Sequence, residues 1–402
     1  MKAVTLAGEA WLLACGTAWL VLFAASLLGI PWSLPLLLIG LALVVLAALR
    51  PLRSALSNIQ WPRLGWPNLI DLLTLAMIGG YVRLATIASP VETDYLTIWG
   101  LEGKEFWLHR GIHWQFLATT QNPNTHVDYP ILVPLVYDAQ ALLMRAWPAR
   151  TIGLVTAAFG IAALLVIRGL LADDMPKLAR AIATAVLMPV VFSPFIGLAE
   201  GPLVAYALAG LLFIRRGNVT RGALYLGLCA SCKHDGLAVI LAVVIAMLLT
   251  RRRELPRLWP AFVIPLPWMI VARLHGFAST HAQSGMFARL FTRLAHPAPL
   301  FRALLDYPPG RPLFWIGVAL ACAIGWRRVA TTERLFAIVG ILQPLFFIGV
   351  YLVSAYDLDW LVHWSWDRIL RQAMPVVALL ALFCIAPFVI AFAHASEPRT
   401  DR

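Results

Sequence analysis

The stretch GALYLGLCASCKHDGLAVILAVVIAMLL, residues 222–249, decides the fold class of this chain. It is apolar except for Lys233, His234 and Asp235 near its middle. A helix that crosses the hydrocarbon layer of a bilayer needs about 17–25 residues, so the stretch is too long for one span and too short for two full ones. The chain must therefore turn at Lys233 to Gly236. The turn is either a plain polar hairpin or a cation and an acid that point into a cavity.

The composition of the whole chain also indicates a membrane protein. Hydrophobic residues make up 61% of the 402 residues and charged residues 13%, whereas a soluble domain has about 45–50% and roughly 25%. The formal net charge of +12 does not indicate nucleic-acid binding, because the arginines stand in short clusters between apolar stretches and form no basic face. Such clusters are typical of cytoplasmic loops. They are Arg50/Arg53/Arg63, Arg215/Arg216/Arg221, Arg251/Arg252/Arg253/Arg257 and Arg327/Arg328.

Apolar segments recur along the chain and predict an all-α, polytopic membrane helix bundle of about 12 spans, within a range of 11–13. The first segment, 7–29, lacks the pattern of a cleaved signal peptide and is expected to stay in the membrane. The arginine clusters all fall on one side only if one segment between Tyr129 and Glu200 does not cross. The best candidate is 131–147, which is short and contains Asp138. The segments are 7–29, 32–49, 69–88, 131–147, 152–171, 178–195, 201–216, 219–232, 236–250, 259–274, 311–326, 334–353 and 373–393.

This topology predicts a single transmembrane domain over residues 1–402 with three long polar stretches on the outer face. They are 90–130, which is the first large loop, 275–310 and 354–372. The first loop contains five acids and two strong bases, although the chain as a whole is basic. The second adds histidines and arginines in which no metal-ligand spacing can be identified. The histidines of this second loop are His275, His281 and His296.

The first outer loop begins with two acids, Glu92 and Asp94. A single carboxylate at a membrane exit is often only an interfacial residue. Here Trp99, Lys104 and Trp107 follow at near-helical spacing, which predicts a short amphipathic helix on the interface. Asp94 would lie at the start of that helix, where a carboxylate suits the helix dipole.

Other candidate residues stand at the boundaries of apolar segments. Tyr129 and Pro130 mark a helix start, because proline is favoured at the first helical position. Glu200 separates two apolar runs, although an acid costs about 2.5–3.5 kcal/mol at the centre of a membrane. By the predicted topology Glu200 and Lys233 lie on the same face as Asp94.

The last outer stretch contains His363 and Arg368. An arginine at a membrane edge often only extends its head group to water. Arg368 nevertheless lies outside, against the charge rule, and a guanidinium matches the geometry of a phosphate. Acids with nearby cations are the parts needed to attack a lipid-linked phosphate ester. A carboxylate can accept the proton of an acceptor hydroxyl, an effect of about 10²–10⁴-fold, and cations can stabilise the released phosphate.

At these residues the sequence resembles the GT-C type of polytopic glycosyltransferases, especially the bacterial members related to protein O-mannosyltransferases and lipid A aminoarabinose transferase. The resemblance extends from residue 94 to residue 375. It rests on Asp94 with Trp99 and Lys104, Tyr129-Pro130 with Pro134, Glu200-Gly201, Lys233 with Asp235-Gly236, and Ser365-Trp366-Asp367-Arg368 with Pro375.

The resemblance implies an inverting transfer in which Asp94 is the catalytic base and Glu200 a second outer acid. Lys233 and Arg368 would contact the phosphate of the donor. The chain departs from the family at Glu92-Thr-Asp94, where some relatives carry Asp-x-Glu or adjacent acids. The base therefore stays open between Glu92 and Asp94, and the acceptor stays open as well.

The prediction is a glycosyltransferase of the bacterial inner membrane that moves a sugar from a polyprenyl-phosphate donor to a hydroxyl or amine at the periplasmic face. Its partners are membrane lipid, the lipid-linked sugar and a glycan, lipid or protein acceptor, and not nucleic acid. No metal ligand is assigned, and a divalent metal is left open because some relatives use one. The catalytic candidates are Asp94, Glu92 and Glu200, and the substrate-binding candidates are Trp99, Lys104, Tyr129, Lys233, Asp235, His363 and Arg368.

The alternative is a transporter or flippase of a lipid-linked or anionic solute, in which the same cations bind but do no chemistry. It predicts charged residues deep in the bundle and two gated sides. Most charges stand at segment ends, which favours the enzyme. A purely structural scaffold is a third alternative, although a scaffold has little reason to place isolated acids at membrane level.

Overall fold

A computed structural model describes residues 2–56, 65–88, 90, 92–120, 125–192, 196–277 and 284–395. Regular secondary structure in these residues is helical throughout, as the sequence predicts. Arg63 and His281 lie outside the described residues. The α-helices are α1 (Lys2–Leu27), α2 (Leu34–Leu56), α3 (Trp66–Ile87), α4 (Gly100–His109), α5 (Trp114–Thr119), α6 (Leu132–Met144), α7 (Gly153–Leu170), α8 (Lys177–Val191), α9 (Glu200–Arg215), α10 (Val219–Cys232), α11 (Asp235–Thr250), α12 (Trp259–Val263), α13 (Leu266–Leu274), α14 (Met286–Ala295), α15 (Ala298–Asp306), α16 (Pro312–Ile324), α17 (Trp326–Ala330), α18 (Arg334–Val353) and α19 (Leu358–Ala395).

Every predicted apolar segment is mainly helical in the described residues, although 259–274 is divided between α12 and α13, and several of these helices can cross a membrane. Five are long and apolar enough in the described part of the chain, and the bent pair Arg252–Val263 and Leu266–Leu274 makes up to six. At a rise of about 1.5 Å per residue, some 20 residues cover the hydrocarbon layer. The protein is therefore an all-helical protein of multi-pass membrane type. The five are Ala3–Leu27, Pro67–Ile87, Gly153–Asp173, Arg334–Val353 and Leu358–Phe388.

The chain divides into two compact units. Unit 1 contains Met1–Leu237 and Arg257–Phe277, and unit 2 contains Ala238–Pro256 and Ala278–Arg402. In unit 1, α9 and α10 approach so closely that a Cβ atom on Gly222 would lie 2.6 Å from the carbonyl oxygen of Gly210. Small residues of this kind let helix backbones approach within a membrane.

Ion pairs connect the helix ends at one end of unit 1. Arg168, near the end of α7, donates to Asp71 near the start of α3 at 2.6 Å. Arg215, at the end of α9, donates to Asp174 at 2.9 Å. Arg221 and Glu9, near the starts of α10 and α1, form two parallel hydrogen bonds of 2.6 and 2.5 Å. We call this the arginine end of unit 1.

The opposite helix ends of unit 1 meet as well. A Cβ atom on Gly153, the first residue of α7, would lie 2.4 Å from the carbonyl oxygen of Ala85 and 2.9 Å from Ile196. Ala85 belongs to the last turn of α3, and Ile196 lies just before α9. The positive φ of Gly197 (77°) lets the chain turn into α9 against the side chain of Tyr95. This second end contains the acids considered below.

Helix α6 does not carry the chain between the two ends. It has 13 residues, and thus a length of about 20 Å. A Cβ atom on Gly103 of α4 would lie 3.4 Å from the Pro134 carbonyl oxygen and 2.9 Å from the Trp147 ring. Pro134 near the start of α6 and Trp147 after its end therefore both lie beside Gly103. That segment 131–147 stays on one side of the membrane remains a prediction.

The structure of unit 2 corrects one predicted boundary, the start of the final helix. The final span, expected over 373–393, is the later part of α19, whose 38 residues begin at Leu358. Most of the polar stretch 354–372 is therefore helical. The Asp357 carboxylate accepts a hydrogen bond from the Trp360 amide at 2.9 Å, as at a helix N-terminus. Below the polar face, buried side chains continue at helical spacing into the span. They are Val362, Trp366, Ile369, Leu370 and Ala373.

Candidate active site

A buried lysine forms the centre of the polar cluster in unit 1. The Lys233 ammonium is 3.0 Å from Glu200 Oε1 and 3.2 Å from Asp235 Oδ2. Lys233 is 5% exposed and Glu200 is fully buried. Glu200 and Asp235 are the first residues of α9 and α11, where the helix dipole favours a carboxylate. The predicted turn is thus present, and its polar residues point inward.

The turn depends on Gly236. A Cβ atom at this position would lie 2.5 Å from the backbone of Ala230. Lys233 is extended (φ −163°, ψ 153°) between α10 and α11. The sharp reversal directs Lys233 and Asp235 to the same side, which explains how two residues next to a turn share an ion pair.

Aromatic side chains surround Tyr129 beside this lysine. The Tyr129 ring stacks on Trp99 with 5.7 Å between ring centroids and on His126 with 4.7 Å, and it meets His234 edge-on at 5.2 Å. Burial raises the pKa of Tyr129. Lys233 acts in the opposite direction, while Asp235, Asp128 and Asp94 raise this pKa further. The Tyr129 phenol therefore lies within electrostatic reach of one lysine and three aspartates.

Asp128 anchors two rings of the cluster through its backbone. Its carbonyl oxygen accepts a hydrogen bond from Trp268 Nε1 at 3.1 Å and lies 3.1 Å from His234 Nε2. A carbonyl can only accept, so His234 carries its proton on Nε2. The Asp128 carboxylate is 3.4 Å from the same nitrogen.

Glu102 is a member of the cluster that sequence reasoning missed as a candidate. It is fully buried on α4, and neither of its carboxyl oxygens has a hydrogen-bond partner among the described residues. Burial, and to a lesser extent Asp128, raises the pKa of Glu102 well above its ordinary value. We therefore assign a neutral carboxyl group. The helical spacing of Trp99, Glu102 and Phe106, all buried, is the signal that could have revealed it.

The structure brings six predicted residues together in unit 1. Glu92 is exposed ahead of the π-helical turn Tyr95–Trp99, and Lys104 is exposed on α4. His363, which is exposed, and Arg368 lie on α19 in unit 2. The six that converge are Asp94, Trp99, Tyr129, Glu200, Lys233 and Asp235.

The predicted first outer loop is helical, as expected. It contains the π-helical turn Tyr95–Trp99 followed by α4 and α5. Trp99 is fully buried, so this segment packs into unit 1 through one face. A π-helical turn widens the helix by one residue per turn and often marks a functional site.

The cluster is rich in acids. Glu200 and Asp235 pair with Lys233, Asp94 and Asp128 act on the adjacent Tyr129, and Glu102 is within electrostatic reach of Asp128. Such a site is suited to accept a proton and to bind a hydroxyl-rich or cationic group. Within the described ranges no three His, Cys, Asp or Glu side chains are arranged to hold a metal ion.

No protein-family model, curated protein or solved structure matches this chain. Fold and site therefore define its class: an all-helical, multi-pass membrane-type protein with a buried, acid-rich polar cluster at one end of its first unit.

Proposed function

We propose that the protein is a GT-C-like glycosyltransferase that uses a polyprenyl-phosphate sugar. The observation that supports this most is the convergence of Asp94, Tyr129, Glu200, Lys233 and Asp235, which come from four separate stretches of the sequence. These are the residues on which the resemblance rests. Their convergence beside the ends of apolar helices suits a substrate whose reactive group is held at membrane level.

Asp94 is the proposed base. The acceptor hydroxyl attacks the anomeric carbon, its proton passes to the Asp94 carboxylate, and the bond from that carbon to the phosphate oxygen breaks with its electron pair on the phosphate. Asp94 is partly exposed at the start of the π-helical turn, whereas Glu200 is fully buried. A base must reach the proton that it removes, so exposure favours Asp94 over Glu200.

Lys233 is the proposed ligand of the donor phosphate, and it is already ion-paired within the protein. Its ammonium already contacts two carboxylates, and charged partners orient it. In the proposal this ammonium, positioned by the two carboxylates, also contacts the leaving phosphate. Glu200 and Asp235 then act as positioning residues. Arg368, which the resemblance assigns to the same phosphate, stays a prediction.

The side of the membrane follows from charge in this proposal. Cytoplasmic loops collect lysine and arginine, so the arginine end of unit 1 is proposed to face the cytoplasm. The acid cluster at the other end then faces the periplasm of the inner membrane. Nucleotide sugars are not available there, which favours a lipid-linked donor. The proposed number of spans is about twelve.

The test is sugar transfer by purified full-length protein from a defined polyprenyl-phosphate sugar to a panel of hydroxyl and amine acceptors. Asp94→Asn should lower turnover by about 10²–10⁴-fold, the typical contribution of a general base. Glu92→Gln is the matched control, because Glu92 is exposed two residues earlier. Turnover of Asp94→Asn within a few-fold of wild type would refute the base, and loss only in Glu92→Gln would transfer the role.

A transporter is the second candidate, because an ion-paired lysine buried in a membrane-type protein often marks a solute or proton path. Uptake of a lipid-linked or anionic solute into proteoliposomes, without a covalent product, would favour it over the enzyme.

A further inference from the structure

Helix α14 of unit 2 is amphipathic, with its apolar face outward. Phe287, Phe291 and Leu294 follow at helical spacing and are 67%, 68% and 55% exposed. Arg289 and Arg293 lie on the other face and are only partly exposed. A helix on the surface of a soluble protein turns its apolar stripe to the core. This helix does the opposite.

The two arginines bind backbone carbonyls at the end of α18. Arg289 Nε donates to the Val353 carbonyl at 2.8 Å. Arg293 donates to the carbonyls of Tyr351 and Ser354 at 2.6 and 2.8 Å. The last carbonyls of a helix have no partners within it, and charged donors satisfy them here. The polar face of α14 is therefore committed to the protein.

The next helix continues the same arrangement. In α15, Leu300 and Ala303 are buried in the core of unit 2, against α18 and α19. Phe301 and Leu305, four residues apart, are 61% and 78% exposed. The outward apolar surface thus extends over two consecutive helices.

The position of this surface indicates what covers it. α18 is one of the helices that can span a membrane, and its last residue is Val353. Arg289 holds α14 at this end, where an apolar span meets the head-group region. Ile341 and Leu345 of α18 are also exposed, at 62% and 50%. The apolar face of α14 is thus held beside the end of a helix whose own surface is apolar.

We propose that α14 and α15 lie in the plane of the membrane interface, with Phe287, Phe291, Leu294, Phe301 and Leu305 in contact with lipid. Amphipathic helices of this kind insert their apolar face by roughly 5–10 Å into the boundary between head groups and acyl chains. Both arginines are bound to carbonyls, so the helices are bound to lipid by apolar contact more than by anionic head groups. The inference does not depend on glycosyl transfer.

The experiment places a nitroxide spin label on Phe291→Cys and, as the matched control, on the adjacent Thr292→Cys. Thr292 is exposed but lies outside the apolar stripe. The native cysteines are buried or half-buried, and labelled wild type gives the background. The full chain is placed in nanodiscs of palmitoyl-oleoyl phosphatidylcholine, and power saturation measures collisions with oxygen and with a water-soluble nickel complex.

The label at position 291 should collide with oxygen several-fold more than with nickel, and the label at 292 should show the reverse preference. If both labels are accessible to nickel, the face lies in water and the proposal is wrong. Dipolar broadening between labels at 291 would show a second copy of the chain on this face, which also overturns it. Phe287→Cys provides the same reading if the 291 variant does not fold.

Discussion

At the scale of single residues, the site depends on where a few charges are buried. Lys233 is held by two carboxylates in a nearly sealed position, whereas Lys104 is exposed on α4. The sequence suggests both lysines as substrate ligands. The two lysines differ in burial. Lys233 must be paired because removing a charge from water is costly, whereas Lys104 keeps its contact with solvent.

Lys233→Met should lower the free energy of unfolding by about 3–5 kcal/mol, because it leaves Glu200 and Asp235 as uncompensated buried charges. The measurement is the thermal unfolding of purified protein in detergent at neutral pH. Lys104→Met, the same substitution at an exposed position, should change stability by no more than about 0.5 kcal/mol. Equal effects of the two substitutions would show that the buried pair contributes no stability.

Glu102 predicts a pH dependence of stability. Below the ordinary carboxyl pKa of 4.5 the group is protonated in the folded and the unfolded protein. Above this pH the unfolded chain ionises while burial keeps the folded group neutral, so its contribution to stability falls as the pH rises towards its folded pKa. Glu102→Gln removes this loss. The unfolding temperature of the variant, relative to wild type, should therefore increase between pH 5 and pH 8.

The control for Glu102 is Glu92→Gln, in which the exposed carboxyl is replaced. Its unfolding temperature should follow that of wild type at each pH. A difference between Glu102→Gln and wild type that stays constant with pH would mean that Glu102 is ionised in the folded protein.

At the scale of helices, close backbone contact holds unit 1 together. α9 and α10 meet at Gly210 and Gly222 without room for a side chain. Gly79 on α3 has open space around it instead. In the sequence Gly79 and Gly222 are alike, each a glycine in an apolar helix. Only the residues packed against them in space distinguish the two.

Gly222→Ala should destabilise the protein by about 1–3 kcal/mol, because the added methyl forces α9 and α10 apart. Gly79→Ala should be neutral or stabilising by up to about 1 kcal/mol, since alanine is the better helix former and has space there. Chemical or thermal unfolding of the two variants in the same detergent tests the difference. A harmless Gly222→Ala would mean that the two helices are less closely packed than the structure shows.

At the scale of the whole molecule, the parity of the spans decides which residues share a side of the membrane. In unit 1 the shared side depends on α6, because Pro134 near its start and Trp147 after its end both lie beside Gly103. If segment 131–147 crossed, the residues before and after it would lie on opposite sides. Asp94 and Glu200 would then be separated.

Labelling of introduced cysteines with a membrane-impermeant maleimide tests this topology in intact vesicles. Glu92→Cys and Ala149→Cys, both exposed and on either side of α6, should react from the same side of the membrane. Asp173→Cys, exposed at the arginine end, should react only from the other side. Reaction of Ala149→Cys together with Asp173→Cys would show that segment 131–147 crosses.

The sequence alone determined the class of the fold and most of the helices. Apolar segments of sufficient length are a local property, and these segments are helical in the described residues, with 259–274 bent into α12 and α13. The same reasoning placed the start of the final span too late, at residue 373, whereas its helix begins at Leu358. The polar residues of 358–372 concealed the buried stripe formed by Val362, Trp366 and Ile369.

Only the tertiary structure decided which polar residues belong together and which are buried. Asp94, Tyr129, Glu200 and Lys233 are separated by tens of residues, and no local pattern encodes their contact. Glu102 and Lys104 lie two residues apart on one helix, yet one is sealed and neutral while the other faces outward. The physical reason is that burial and charge pairing depend on the helices packed against a residue. The residue's immediate neighbours in the sequence do not supply that information.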